Sequence, residues 1–424
     1  MTAQQTTAFS APPISKPPLP FPVCAPFLAA LFCAAHSALA LQFCLGGIGA
    51  TAGLCLLIFG RRRNVRLITV LCLSAAAGFL WSALRLTVLS PLPDLQKLLS
   101  PLLSPWQTAL GGLLRERIGG ENGSLVCAML LGLRDGITPE TREVFSRLGI
   151  SHLLAISGLH LSVLSGSLFR LLCLLRVPRR AACMTSAAFA VLFCALCGFP
   201  YSLVRAMLMY VLYCGAIIAG RDPSSVDALC FAGALICLCS PSAVTALSFQ
   251  MSFTATLGIV CFSTPLTDEL TEPLPRGTKR FLAYPVGLFV STFCANLFLV
   301  ILCTVELGEI APAGFLVNFW FIPFSTVFLY FAALSLLFFP LPFLGTAAAR
   351  ITGWLAGILL HTARAFDRSI GYCVSMREEF VPFLCLAFCG GIGFACTRGR
   401  KTVLIFVFCA VCLLYAVCAA LLIL

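Results

Sequence analysis

The sequence predicts an all-α polytopic membrane protein with about 12–13 transmembrane helices, including broken or re-entrant segments, and no soluble domain of substantial size. Hydrophobic residues make up 60% of the 424 residues, and the mean hydropathy is +1.01. Charged residues make up only 10%, whereas soluble domains contain about 25%. This composition excludes a water-soluble globular protein.

Apolar segments of membrane-spanning length recur along the chain. A transmembrane helix needs about 20 apolar residues, within a range of roughly 17–25. The segments that approach this length are residues 24–41, 43–60, 67–89, 150–175, 181–198, 201–220, 226–239, 243–264, 281–304, 313–339, 347–365, 381–396 and 402–424. The segment 226–239 is the shortest of them, and its length also fits a re-entrant helix.

The charges of the loops predict the orientation of the chain. With the N-terminus inside and the sides alternating at each span, the C-terminus lies outside and the basic residues collect on the cytoplasmic side, as the positive-inside rule requires. The basic residues of these cytoplasmic loops are Arg61, Arg62, Arg63, Arg66, Arg176, Arg179, Arg180, Arg221, Arg276, Lys279, Arg280, Arg398, Arg400 and Lys401. The long outside stretch, residues 90–149, holds acids and bases in balance. The net charge of +12 fits these orientation signals, and also fits anionic lipid or a polyanionic ligand.

The pattern of polar and apolar stretches divides the chain into five parts. They are a disordered cytoplasmic tail (1–22), N-terminal spans (23–90), a short extracytoplasmic segment (91–124), a transmembrane core (125–365) and C-terminal spans (366–424). Residues 125–133 form an apolar stretch too short to cross, so we expect it to lie on the membrane or dip into it. Residues 138–147 predict a short amphipathic helix, with Thr138 as N-cap and Pro139 at the first helical position.

The 24 cysteines do not indicate a disulfide scaffold or a metal site, because nearly all lie inside apolar runs, where cysteine behaves as a small hydrophobic residue. Two CxxC spacings, Cys194/Cys197 and Cys409/Cys412, fall within predicted spans and lack the further ligands of a zinc site. Cys373 lies outside these runs. We predict no metal and no cofactor.

Polar residues on the apolar segment after residue 150 mark the first candidate site. A buried, unpaired polar group costs a few kcal/mol, so His152, Ser157, Gly158 and His160 point to a cavity or a bundle interior. The favoured interpretation is a helix discontinuity at residues 156–158 whose freed backbone groups face a cavity.

Other interpretations of this segment remain open. Gly158, Ser162 and Gly166 recur every four residues, a spacing that lets another helix approach closely. Ser157 and His160 lie three residues apart, which raises a Ser–His hydrolase, although no oxyanion-hole signature accompanies them and Asp135 cannot be assigned as the orienting acid.

Four polar residues in later spans extend the candidate set. Arg205 lies near the outer end of its span, where it either snorkels to the interface or provides a fixed positive charge at a pore mouth. Gln250 and Ser252 lie in an otherwise apolar segment, where interhelical hydrogen bonding is expected. Asn318 lies between Pro312 and Pro323, a pattern that predicts a broken helix facing a polar cavity.

These motifs together resemble the core of ComEC-type competence proteins. The resemblance is carried by Arg134-Asp135-Gly136 with Pro139-Glu140, by the run Gly149-Ile150-Ser151-His152-Leu153-Leu154-Ala155-Ile156-Ser157-Gly158-Leu159-His160, and by later motifs in the same order, Val204-Arg205-Ala206, Ser248-Phe249-Gln250-Met251-Ser252-Phe253 and Asn318 with Pro323. It covers residues 119–340 and marks residues 125–365 as a competence-type transmembrane core.

The resemblance implies a channel in the bacterial cytoplasmic membrane that conducts single-stranded DNA during natural transformation. Its DNA-contact or channel-lining candidates in this chain are Asp135, His152, Ser157, Gly158, His160, Arg205, Gln250, Ser252 and Asn318. Besides DNA and membrane lipid, separate DNA-receptor, nuclease and ATP-driven motor proteins are the expected partners, and the oligomeric state is open.

Two departures from the resembling family bear on activity. Many of its members carry an outside OB-fold-like domain and a metallo-β-lactamase-like nuclease domain; residues 90–125 are too few for the former, and no nuclease motif occurs. We therefore expect no enzyme activity. The alternative functions are a small-solute transporter and, less favoured, a membrane-embedded hydrolase using Ser157 and His160.

Overall fold

The computed structural model describes residue 77, residues 95–272 and residues 275–375. Several predicted features lie outside these residues: the tail 1–22, the spans 24–41, 43–60, 381–396 and 402–424, nearly all of the span 67–89, and the Cys409/Cys412 pair. None of the thirteen cysteines that the structure describes is in a disulfide, and Cys194 and Cys197 are both buried, as expected of small hydrophobic residues.

The described residues fold almost wholly into helices. In chain order these are α1 (Leu95–Ile118), α2 (Gly120–Leu131), α3 (Pro139–Arg147), α4 (Ser151–Leu154), α5 (Gly158–Leu174), α6 (Arg179–Leu196), α7 (Tyr201–Ile218), α8 (Ser225–Cys239), α9 (Leu247–Gly258), α10 (Thr264–Thr271), α11 (Arg276–Leu307), α12 (Gly314–Leu337) and α13 (Pro342–Ile370). A 3₁₀ turn (Pro241–Thr245) precedes α9, and a π-helical turn (Ile259–Ser263) joins α9 to α10. Two short strands, β1 (Glu309–Ile310) and β2 (Val374–Ser375), pair antiparallel.

Each predicted span between residues 150 and 365 corresponds to an apolar helix. Among the described residues, five helices are long and apolar enough to cross a membrane: α6, α7, the 281–300 part of α11, α12 and α13. Three shorter apolar helices, Gly158–Leu174, Ser225–Cys239 and Leu247–Ser263, match the remaining predicted segments. The prediction of an all-α polytopic membrane protein is confirmed.

The predicted break near Ser157 is confirmed. Residues 150–175 form two helices, because α4 ends at Leu154 and α5 begins at Gly158. The predicted helix after residue 138 is also confirmed, with Pro139 in its first turn and the Thr138 hydroxyl accepting the backbone N–H of Thr141 at 3.2 Å.

The prediction of a broken helix at Asn318 is wrong. Helix α12 runs without interruption from Gly314 to Leu337, with Pro323 inside it, and Pro312 only precedes its start. Pro323 removes the one backbone hydrogen bond to the carbonyl four residues earlier, that of Phe319, and a membrane helix tolerates this loss. The hydroxyls of Ser325 and Thr326 donate to a different carbonyl, that of Ile322, at 2.8 and 3.0 Å.

Two compact units divide the described residues, and we treat each by itself. The first unit contains residues 111–155 and 254–375, and the second contains residues 95–110 and 156–253. The chain passes from the first unit to the second at residue 155, inside the break between α4 and α5.

In the first unit, α2 is enclosed by protein. Each residue from Leu125 to Leu131 is at most 2% exposed. A helix buried on all sides cannot lie on the membrane surface with one face in contact with lipid. Of the placements expected for this short apolar stretch, the surface placement therefore does not fit the structure. The Asn122 side chain donates to the carbonyl of Gly353 on α13 at 3.0 Å.

Charged residues hold α2 and α3 against the C-terminal half of α13. Arg364 of α13 donates to both carboxylate oxygens of Glu121 at 2.7 Å, and the Thr141 hydroxyl also donates to this carboxylate. Closer to the end of α13, Arg147 makes a bidentate pair with Asp367, at 2.8 and 2.6 Å. Two-point guanidinium–carboxylate contacts fix geometry as well as charge.

Acid is expected to weaken this attachment through Glu121. Burial raises the pKa of the Glu121 carboxyl, but the hydrogen bonds from Thr141 and Arg364 and the Arg364 charge outweigh it, and the pKa falls below its ordinary value of 4.5. The folded state then gains stability above that value and loses it as the pH falls through the lower, folded pKa. The melting temperature of the purified protein, followed by tryptophan fluorescence between about pH 6 and about pH 3, should therefore drop more for the wild type than for Glu121→Gln. Equal drops would contradict this role of Glu121.

Candidate functional site

Side chains at the break before α5 form hydrogen bonds with the backbone groups that the break exposes. Ser157 has extended backbone angles and forms a capping box with His160 at the third helical position. The Ser157 backbone N–H donates to His160 Nδ1 at 2.9 Å. The carbonyl of Ile156, freed by the break, accepts the Ser202 hydroxyl of α7 at 3.0 Å. The break therefore has a defined geometry and is anchored to α7.

Gly158 lies in close contact with α7. A Cβ atom at Gly158 would lie 2.7 Å from Arg205 Nη2 and 3.0 Å from the Cβ of Ala206. Glycine leaves room for the Arg205 guanidinium at the start of α5, and any side chain there would displace it. By contrast, nothing lies within 4 Å of a Cβ at Gly166, and Ser162 is exposed, so the predicted small-residue stripe provides a close approach only at Gly158.

Arg205 is a buried cation beside this break. The residue is 8% exposed, and its Nη1 donates to the backbone carbonyl of Ser252 on α9 at 2.5 Å. Its guanidinium carbon lies 6.0 Å from the centre of the Phe253 ring, and its Nε has no hydrogen-bond partner in the described structure. This degree of burial does not fit a side chain that snorkels to an interface.

Aromatic rings border Arg205 on the α9 side. Phe249 and Phe253 stack at 4.2 Å between ring centres, and Tyr201 meets Phe249 edge-on at 6.4 Å. Further along α7, the Tyr210 hydroxyl donates to the carbonyl of Ser165 on α5 at 3.0 Å. The second unit therefore brings together the break, one buried cation and a set of aromatic rings.

Of the predicted residues in the second unit, Gln250 does not join this group. Its side-chain nitrogen donates to the carbonyl of Val244 at 2.9 Å, in the 3₁₀ turn that precedes its own helix. The expected bond of Gln250 to another long helix stays a prediction, and the bond that the structure shows goes to the short turn at residues 241–245. Ser252 contributes through its backbone carbonyl, and its neighbour Phe253 through its ring.

The other three candidates belong to the first unit. Asp135 is exposed in the turn between α2 and α3, and His152 is exposed on α4. Asn318 on α12 is 5% exposed, and its Oδ1 has no hydrogen-bond partner among the described residues. The three residues lie on different elements of the unit, and their functional roles stay predictions. The described residues contain no group of three His, Cys, Asp or Glu side chains placed to hold a metal ion.

Sequence reasoning missed Ser202 and Phe253. Ser202 lies three residues before Arg205, so both lie on one face of α7, and Phe253 follows Ser252 directly. The signal that could have found them is their position inside the same short motifs as the predicted residues.

Comparison with known proteins places these residues in a family context. The sequence profile of the Competence protein family matches residues 129–402, well over half of the chain, and this range contains all nine candidate residues. The chain belongs to the Competence protein family. It is also similar to ComE operon protein 3 of Bacillus subtilis (strain 168), with 29% identity over 144 residues.

That similarity is partial on both sides. It covers 34% of this family member and 19% of the Bacillus protein, so the chain matches about one fifth of the relative's length. No solved structure is a significant match to this chain.

Proposed function

We propose that this protein is a channel that conducts single-stranded DNA across the bacterial cytoplasmic membrane during natural transformation. Membership in the Competence protein family supports a role in competence. The observation that carries the finer proposal is the burial of Arg205 at the capped helix break, beside aromatic rings. Single-stranded nucleic acid is bound by positive charge along its backbone and by aromatic surfaces on which bases stack.

A buried guanidinium in a membrane protein calls for a functional explanation. Burying a charged group without a charged partner is costly, and such residues in membrane proteins line pathways for ions or substrates. Within the described residues no carboxylate pairs with Arg205, and its one hydrogen bond goes to a neutral carbonyl. A phosphate group of a passing strand would supply the missing negative charge.

The proposal includes orientation and partners. In it the N-terminus lies in the cytoplasm and the C-terminus outside, residues 125–365 form the channel core, and no chemical step takes place in this chain. A separate receptor delivers the DNA, a separate nuclease removes one strand, and a separate ATP-driven motor pulls the remaining strand inward.

Deleting the gene tests the proposal directly. We expect label from radiolabelled DNA to bind the cell surface normally, whereas nuclease-protected label inside the cell falls to background. The physical reason is that surface capture needs only the receptor, whereas entry of a charged strand needs a polar path through the bilayer. Unchanged protected label in the deletion strain would refute the channel.

One observation favours a second function, a membrane-embedded serine hydrolase. Ser157 Oγ lies 3.1 Å from His160 Nδ1, within the distance that a nucleophile and its base require. The capping box explains the same distance without catalysis, because Nδ1 already accepts the Ser157 backbone N–H. A fluorophosphonate probe that labels Ser157, with loss of labelling in His160→Gln, would favour the hydrolase; the channel proposal expects no labelling.

A further inference from the structure

The turn between α2 and α3 gathers positive charge in the first unit. The backbone N–H of Ile137 donates to the carbonyl of Arg134 at 3.1 Å, which closes a turn with Asp135 and Gly136 at its tip. The same carbonyl accepts Nη2 of Arg142, from the second turn of α3, at 2.9 Å. The side chains of Arg134 and Arg142 are both exposed, so two guanidinium groups flank one turn at the surface.

A third guanidinium lies beneath this turn. Arg115 Nη2 is 3.8 Å from the position that a Cβ of Gly136 would occupy, and Gly136 itself rests on Ser124, whose Cβ is 2.9 Å from that position. Both Nε and Nη2 of Arg115 are buried without a hydrogen-bond partner in the described structure. We call Arg115, Arg134 and Arg142 the turn arginine cluster.

None of the ion pairs among the described residues involves an arginine of the turn arginine cluster. The ion pairs of this region use other arginines, Arg147 with Glu143 and Asp367, and Arg364 with Glu121. Partial desolvation lowers the pKa of the Arg134 guanidinium, and the charge of Arg142 lowers it further. Exposed Asp135 offsets part of the charge, so the cluster has an excess of positive charge.

The arrangement fits an oxyanion with several acceptor oxygens. Guanidinium groups match phosphate oxygens geometrically, and a buried, uncompensated cation strengthens the potential felt at a nearby surface site. The two exposed guanidinium groups on the turn supply the direct contacts with the oxyanion, and the charge of Arg115 beneath the turn makes the electrostatic potential at this surface more positive. Such a site does not depend on base identity, as expected for backbone recognition.

We propose that the turn arginine cluster is a phosphate-binding site that contacts the phosphodiester backbone of single-stranded DNA. The choice of DNA as the source of the phosphate rests on the proposed function. Arg134 and Arg142 contact the phosphate, Arg115 acts through its charge, and Asp135 weakens the binding.

The test measures binding of a fluorescent oligothymidylate to the full-length protein in dodecyl maltoside micelles, over a range of salt concentrations. The logarithm of the binding constant falls as the logarithm of the salt concentration rises, and each phosphate contact removed should make this fall less steep by about 0.7 for a single strand. We expect Arg134→Gln and Arg142→Gln each to weaken binding and lower the slope by this amount, and Asp135→Asn to strengthen binding. Arg368→Gln, which removes an exposed arginine of the same unit, is the matched control and should leave affinity and slope unchanged.

Three outcomes would overturn the site. Wild-type affinity and slope in both arginine variants would show that the oligonucleotide binds elsewhere, and an equal loss in Arg368→Gln would show a general charge effect. Full competition by short-chain phosphatidylglycerol, lost in the same variants, would assign the cluster to lipid headgroups instead. None of these three results bears on the channel proposal, because the deletion experiment tests strand entry separately. If deleting the gene abolishes strand entry but the oligonucleotide does not bind at the cluster, only the cluster proposal is rejected.

Discussion

Replacing Arg205 with glutamine is expected to reduce entry of nuclease-protected DNA by at least about tenfold, which corresponds to about 1.4 kcal/mol in an equilibrium. Glutamine keeps a hydrogen-bond donor for the Ser252 carbonyl but removes the positive charge. If a phosphate of the strand neutralises the buried guanidinium, removing the positive charge should weaken the binding of the strand in the channel and reduce its entry. The measurement is protected label per cell, normalised to the amount of protein in the membrane.

Two further variants separate charge from packing. Arg205→Lys keeps the charge but not the planar, forked donor, so we expect entry between that of the wild type and Arg205→Gln. Arg170→Gln removes an exposed arginine from α5 of the same unit and should not change entry. If Arg205→Gln takes up DNA normally at normal protein levels, Arg205 only joins α7 to α9 and the main support for the channel fails.

Local signals made the helix break predictable. Ser157 followed by Gly158, within an otherwise apolar run, offers both an N-cap and a position without a side chain, and the structure uses both. Thr138 before Pro139 is a similar local signal, and helix α3 starts there. Features that depend on neighbours in the sequence can be inferred from it, because the physical cause lies within one helical turn.

Predictions that depended on the competition between local and distant partners were less successful. The two prolines that flank Asn318, Pro312 and Pro323, predict a break, but one lost hydrogen bond is small beside the packing of a complete helix, and α12 stays continuous. The bond from Gln250 to the carbonyl of Val244 could not be predicted, because the sequence does not reveal that residues 241–245 form a 3₁₀ turn beside this side chain.

Contacts between distant residues could not be predicted from one sequence. The pairing of Glu121 with Arg364 joins residues 243 positions apart, and nothing in the local pattern of either selects the other. The turn arginine cluster is similar, because Arg115 reaches Gly136 only after α1 and α2 fold against each other. The sequence identifies the polar residues that need partners, whereas the fold decides which partners they obtain.

Replacing Gly158 with alanine is the second change with a large expected effect. The added Cβ would lie 2.7 Å from Arg205 Nη2 and 3.0 Å from the Cβ of Ala206. The guanidinium can swing away, but only by leaving the Ser252 carbonyl, and α7 must then move by a few tenths of an ångström. Forcing extra atoms into a packed contact costs about 1–3 kcal/mol, so we expect protected DNA entry to fall by at least about tenfold.

Gly166→Ala is the matched control on the same helix. It adds the same atom where nothing lies within 4 Å, and alanine is the better helix former by about 0.8–1.0 kcal/mol, so entry should stay at the wild-type level. Adding Ala206→Gly to Gly158→Ala removes the fixed neighbour and should restore part of the loss. Because this rescue depends on space between α5 and α7 rather than on charge, it tests the close approach separately from Arg205. Equal DNA entry in Gly158→Ala and Gly166→Ala would mean that the packing of Arg205 against α5 has no part in transport.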